Sequence, residues 1–194
     1  MKGSNEKEWF KLGFIILIGI VIIGILFWVT SYNSLVKYRN WVEESWAQID
    51  VQLKRRFDLI PNLVETVKGY AKHEQETLAK VVELRNQITA PQNSRQEQIE
   101  ANNELSGALR QLFALREAYP DLKASSNFNM LQEELSGTEN KIAYARQLYN
   151  KTVMEYNTKI QSIPTNLVAS VHAFTKRDML EIPVEERENV KIQF

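Results

Sequence analysis

His73 and His172 are the two histidines of the chain, and with 24 Asp and Glu residues they are the groups from which a metal or acid–base site would be built. In a helical protein the demanding form of such a site is a di-metal carboxylate centre, which needs Glu-x-x-His on two helices plus further glutamates. Tyr70 stands three residues before His73 and Ala169 three before His172, so both halves of that pattern fail. A metal role is not expected on ligand count. No G-x-S-x-G, G-x-x-x-x-G-K-[ST] or G-x-G-x-x-G occurs, and glycine is too scarce to build a phosphate cradle. The expectation is a chain without catalytic residues, cofactor or metal.

One stretch does concentrate charge. In "QLKRRFDLIPNLVETVKGYAKHE", Lys54, Arg55, Arg56 and Asp58 precede Pro61 and Asn62, while Leu53, Phe57, Ile60, Val64, Val67 and Ala71 keep a helical period through the proline. Lys54 and Arg55 read as ordinary surface cations whose stems cover the edge of the apolar stripe. Arg56 lies beside Leu53 and Phe57 on the helical wheel, so two readings stay open for it: another surface cation of the same kind, or one that borders the seam and pairs with a carboxylate across it. Pro61 recurs in an echo: "LIPNLV" at 59–64 and "SIPTNLV" at 162–168. Each proline is expected to bend its helix, with Asn62 or Asn166 satisfying the carbonyls that the kink frees.

The elements that position these residues follow from pattern. Leu12–Val29 is uncharged and apolar on every side, and no charge falls between Lys11 and Lys37. At 1.5 Å per residue the run covers about 27 Å, most of a bilayer core. Trp9, Phe10, Trp28 and Tyr32 stand where interfacial aromatic belts belong. A retained transmembrane helix is expected over 12–32, after a flank at 1–11; the run exceeds an ordinary signal core and no small-x-small cleavage site follows it. Lys2, Lys7 and Lys11 on one side and Lys37 and Arg39 on the other do not choose an orientation.

From 33 to 176 the apolar residues return every three to four positions, so the body is expected to be an all-α, antiparallel up-and-down bundle of three long helices and one short one. Nothing after Val29 stops the membrane helix from continuing into the first of them as a stalk. "TAPQNS" marks a loop, and Ser94 with Glu97 has the spacing of a capping box. Asn127 or Asn129 is the expected cap of the longest helix, and Pro164 restarts a short one. The tail, 177–194, loses the period and is expected to be irregular or extended. Balanced charge, 24 basic against 24 acidic residues, argues against nucleic acid. The absence of cysteine excludes disulfides, thiolate metal sites and a lipoprotein anchor.

"YNSLVKYRNWVEESWAQIDVQLKRRFDLIPNLVETVKGYAKHEQETL" resembles the opening motif of the LemA family, and "LYNKTVMEYNTKIQSIPTNLVA" resembles that family's later segment. With the apolar run, the resemblance covers almost the whole chain. It implies a bacterial, single-pass inner-membrane protein with a helical-bundle body, a short N-terminus outside and the bundle in the cytoplasm. It also implies links to membrane-organelle formation or to neighbouring membrane metalloproteases. The close of the chain, "FTKRDMLEIPVEE", matches the family pattern only loosely.

The residues themselves point to a membrane-anchored scaffold or adaptor that presents helical faces to partners or, as a homo-oligomer, to copies of itself. Tyr38, Trp41 and Trp46 cannot share one narrow stripe, so some of these rings are expected to meet lipid or another subunit unless they pack at the bundle's membrane end. The alternative is an assembly that organises or remodels the membrane, for which the Pro164 helix with Lys176 and Arg177 supplies the nearest amphipathic surface. A bundle enzyme with scattered site residues is the remote third reading.

Overall fold

The computed structural model describes residues 3–90 and 92–181. Among them lie α1 (Gly3–Tyr70), α2 (Gln75–Ile88), α3 (Arg95–Ala114), a 3-10 turn (Leu115–Glu117), α4 (Pro120–Ala124), α5 (Ser126–Gln161) and α6 (Thr165–Val171). The architecture is all-α. α1 changes character along its length. Its first part exposes large apolar side chains on all sides, among them Phe14, Ile15, Ile22 and Leu26, the signature of a helix made for lipid. From Leu35 on, the buried residues reduce to one stripe, Leu35, Val42, Ile49, Leu53, Ile60, Val64 and Val67. Each such side chain contributes about 1.5–3 kcal/mol by leaving water.

The folded chain divides into two compact units, each of which takes part of α1 and part of α5. Among the described residues, one comprises those up to Glu43 together with Thr152–Asp178, and the other those from Glu44 to Lys151 together with 179–181.

The larger unit is an up-and-down bundle whose directions can be read from paired residues. Along α1, Trp46 meets Tyr149, Arg55 meets Glu134 and Arg56 meets Glu139, so α5 runs antiparallel to α1. Arg95 lies over Trp46 while Asn102 and Ser106 reach Arg56, so α3 runs parallel to α1. α2 returns between them and packs on α3. Leu78, Val81, Leu84, Ile99, Leu105, Leu109, Leu112, Ile142 and Tyr149 complete this core with the part of the α1 stripe from Ile49 on.

In the smaller unit, Leu35 and Val42 of α1 are buried, as are Val153 and Tyr156 of α5, Val168 and Ala169 of α6, and Phe174. α6 ends in a Schellman motif: Phe174 N–H donates to Ala169 O (2.9 Å) and Ala173 N–H to Ser170 O (3.3 Å). Ala173 occupies the left-handed position of that motif, with φ of 53°.

Several boundaries differ from the sequence expectation. The period that continues through Ala71 to Ile88 is divided by a turn, in which Glu74 N–H bonds Ala71 O. α5 starts at Ser126, so Asn127 and Asn129 both lie inside it and neither is the cap; the Ser125 hydroxyl accepts from Phe128 N–H at 3.4 Å. Ser94 and Glu97 form the full capping box of α3. No helix covers 172–181; the remainder of the expected 177–194 tail lies outside the described residues.

Candidate interaction surfaces and the buried arginine

Pro61 lies inside α1 on its exposed side, and the carbonyl four residues earlier, that of Phe57, therefore has no intrahelical donor. Arg85 of α2 fills the place. Its Nε–H donates to Phe57 O at 3.2 Å, and its guanidinium lies 3.7 Å from the centre of the Phe57 ring. Asn62 does not take the role expected of it: it is exposed, and its own carbonyl accepts from Thr66 Oγ1 at 2.8 Å. Asp58 is likewise exposed.

Pro164 differs from Pro61. α5 has already ended at Gln161, so Pro164, which follows a cis peptide bond, precedes a new helix rather than bending an old one. The last carbonyls of α5 accept from side chains of that same terminus, Gln161 Nε2 to Asn157 O (2.9 Å) and Ser162 Oγ to Thr158 O (2.7 Å). Asn166 contributes its main-chain N–H to Ser162 O at 2.8 Å, and its buried Oδ1 meets no donor among the described residues.

Arg56 is 1 % exposed and is the largest fully buried side chain of the chain's described part. Nη1 donates to Asn102 Oδ1 (2.8 Å) and Ser106 Oγ (3.0 Å), and Nη2 lies 3.6 Å from Glu139 Oε2. Burial lowers its pKa, Glu139 raises it, and Arg110 adds a smaller lowering contribution. The guanidinium remains charged in any case. Arg55, one residue away, is half exposed and pairs with Glu134 at 2.6 Å.

The aromatic residues divide between the units. Trp41 is exposed, packs edge-on to Tyr38 (5.2 Å between centroids) and carries Lys37 over its ring at 4.6 Å. Trp46 is partly buried, edge-on to Tyr149 (5.9 Å), beneath Arg95 (4.9 Å). Two asparagines outside the expected set have clear roles. Asn150 exchanges two hydrogen bonds with the main chain of Leu180, both 2.8 Å, and Asn157 exchanges two with that of Arg177, at 2.8 and 2.9 Å. Their signal in the sequence is the pair Tyr-Asn repeated seven residues apart, at 149–150 and 156–157.

Within the larger unit, a groove of about 630 Å³ runs between α1 and α5. Ala47 and Ala145 are among its small lining residues, and Val51 and Tyr144, 61 % and 71 % exposed, line it too. A second groove of about 830 Å³, between the end of α1 and α2, is lined by Val64, Leu78 and Val82 with Lys68 and Lys72. Among the described residues no group of three His, Asp or Glu side chains could hold a metal ion.

Residues 45–194 match the model of the LemA family. The chain belongs to that family. It is similar to Protein LemA of Metamycoplasma hominis, 29 % identical over 84 % of this chain and 74 % of that protein. It is also similar to Magnetosome protein MamQ 2 of Paramagnetospirillum magneticum, 22 % identical over 77 % of this chain and 64 % of that protein. Magnetosome protein MamQ of Magnetospirillum gryphiswaldense is 20 % identical over 83 % of this chain and 70 % of that protein. This LemA-family chain is thus a helical, membrane-associated protein, with one helix among the described residues apolar and long enough to cross a bilayer.

Proposed function

We propose that this LemA-family protein is a non-enzymatic membrane-tethered scaffold, whose bundle offers a helix-receiving face to copies of itself or to other membrane proteins. The observation that carries the reading is the α1–α5 groove. Ala47 of α1 and Ala145 of α5 keep its walls low, and Val51 and Tyr144 stay exposed along it. Two adjacent helices with small residues between them leave a channel into which the ridge of a third helix fits. Isolated monomers rarely leave large apolar side chains clustered in water.

The sidedness that goes with this reading places the anchor in the bacterial inner membrane, the short N-terminus outside and the bundle in the cytoplasm, where a neighbouring membrane metalloprotease is one candidate partner. The proteins named MamQ favour a second reading, in which lateral assembly of such bundles organises the membrane itself. The test is a photo-crosslinking amino acid placed at Tyr144 of the full chain in native membranes, with Asp121 as an exposed position remote in sequence. A discrete adduct at Tyr144 and none at Asp121 is the expected result. Monomer alone at both positions overturns the scaffold reading.

A further inference from the structure

α6 is amphipathic in the reverse sense. It turns Thr165, Val168 and Ala169 inward but leaves Leu167 and Val171 outward. Leu167 and Val171, one turn apart, are 62 % and 67 % exposed, and Ile163, in the turn that leads into α6, is 86 % exposed. A helix packed on a water-soluble unit buries its bulkiest apolar face, so this arrangement needs a non-aqueous neighbour.

The height of α6 relative to the span is fixed by direct contacts within the smaller unit. His172, the residue after α6, accepts from Trp28 Nε1–H at 3.2 Å, and Tyr32 lies against the same imidazole at 4.7 Å between centroids. Trp28 stands in the last turn of the uncharged run Leu12–Val29. A bilayer that covers the run therefore reaches the level of Trp28, and with it the end of α6. Seven residues of helix extend only about 10 Å, so no part of α6 can lie far from that level. Interfacial helices bury their apolar face at a depth of about 5–10 Å, in the boundary between headgroups and acyl chains. Exposed Lys176 follows within four residues of His172, and Lys37 and Arg39 are exposed on the adjoining turns of α1, a set of cations suited to headgroup phosphates.

We propose that α6 is a second membrane contact, lying in the lipid interface with Ile163, Leu167 and Val171 among the acyl chains beside the transmembrane helix. The inference is independent of the scaffold reading, since it concerns lipid and a different unit. It gives the single-pass protein a second, interfacial contact with the bilayer, beside its span.

The chain contains no cysteine, so single-cysteine variants report on one site each. Leu167→Cys and Val171→Cys carry a nitroxide, with Leu17→Cys as the lipid reference and Asp121→Cys as the aqueous reference. The whole chain is reconstituted in phosphatidylcholine–phosphatidylglycerol vesicles, and collisions with oxygen are compared with collisions with a water-soluble nickel chelate. The expected result is an oxygen-to-nickel ratio at Leu167 and Val171 several-fold above that at Asp121 and approaching that at Leu17. A ratio equal to that at Asp121 places α6 in water and overturns the proposal. Shielding from both reagents means that protein covers the face, and overturns it equally.

Discussion

Arg85, on α2, donates to the carbonyl of Phe57, on α1, the one carbonyl that Pro61 leaves without a partner in its own helix. A proline inside a helix ordinarily costs about 3 kcal/mol through the lost hydrogen bond and the crowding of the preceding turn. Here part of that cost is offset by a neighbouring helix, because a guanidinium can reach an outward-tilted carbonyl and stack on the ring of the same residue.

That relationship predicts coupling. Arg85→Leu should lower stability by about 1–2 kcal/mol, since the carbonyl then lacks a donor. In a Pro61→Ala background the same change should cost about 1 kcal/mol less, because an alanine in place of the proline returns an intrahelical N–H. Chemical unfolding of the four proteins in detergent, followed by circular dichroism, measures the cycle. Strict additivity would show that the Arg85 bond does not compensate for the proline.

The buried cation predicts a recovery on simultaneous replacement. Asn102→Leu alone leaves Arg56 without its nearest acceptor and should cost about 1.5–3 kcal/mol. Replacing the set, Arg56→Met with Asn102→Leu and Ser106→Ala, should recover most of that loss, because well-packed apolar groups substitute for buried ionic ones at little net cost. The same unfolding measurement decides it.

Ala173 predicts a stabilising change. It holds φ of 53° at the Schellman position after α6, where an L side chain crowds the backbone and glycine does not. Ala173→Gly should raise the stability of the smaller unit by about 0.5–1 kcal/mol. Hydrogen exchange of the amides of Ala173 and Phe174, which carry the motif's two bonds, should slow accordingly.

The capping box predicts an acid dependence. Ser94 N–H (2.6 Å), then the Ser94 hydroxyl partnership, hold the Glu97 carboxyl below its ordinary pKa. A carboxyl depressed by folding stabilises above its unfolded value, and that contribution disappears as pH falls through the folded one. A carbon-detected titration should find Glu97 below the usual glutamate range of about 4.3. Ser94→Ala should move it part of the way back, since the main-chain donor remains. The same substitution removes an N-cap and should cost about 1 kcal/mol at neutral pH.

The asparagine pair predicts a protease-sensitive site. Asn157→Leu removes both bonds that fix the main chain of Arg177. Trypsin should then cut after Lys176 or Arg177 of the variant far faster than in the unaltered chain, where Arg177 also pairs with Glu43 at 3.4 Å. Equal cleavage rates would show that the asparagine does not restrain this segment.

Much of the helical architecture was legible because burial on one side imposes a period that survives in the residue order. Val42, Ile49, Leu53, Ile60, Val64 and Val67 can be read as one stripe before any partner helix is known. The turn at Ala71–Glu74 was not legible for the same reason: its apolar residue stays in phase and no proline marks it. Arg56 could be placed at the edge of the seam by its own helix, whereas its acceptors Asn102 and Ser106 are some fifty residues away and visible only in three dimensions. Arg85 was hidden likewise, since the need it meets is created by Pro61 on another helix. α6 misled in a different way. Its period announces an apolar face, but period does not say whether that face is turned toward protein or away from it.

The two asparagine clamps also have a chemical sensitivity. Each amide presents one donor and one acceptor to a single residue's main chain, so deamidation at Asn150 or Asn157 would set a carboxylate oxygen against a carbonyl oxygen. Deamidation at either position would thus show itself as a loosened segment after α6 rather than as a loss of helix.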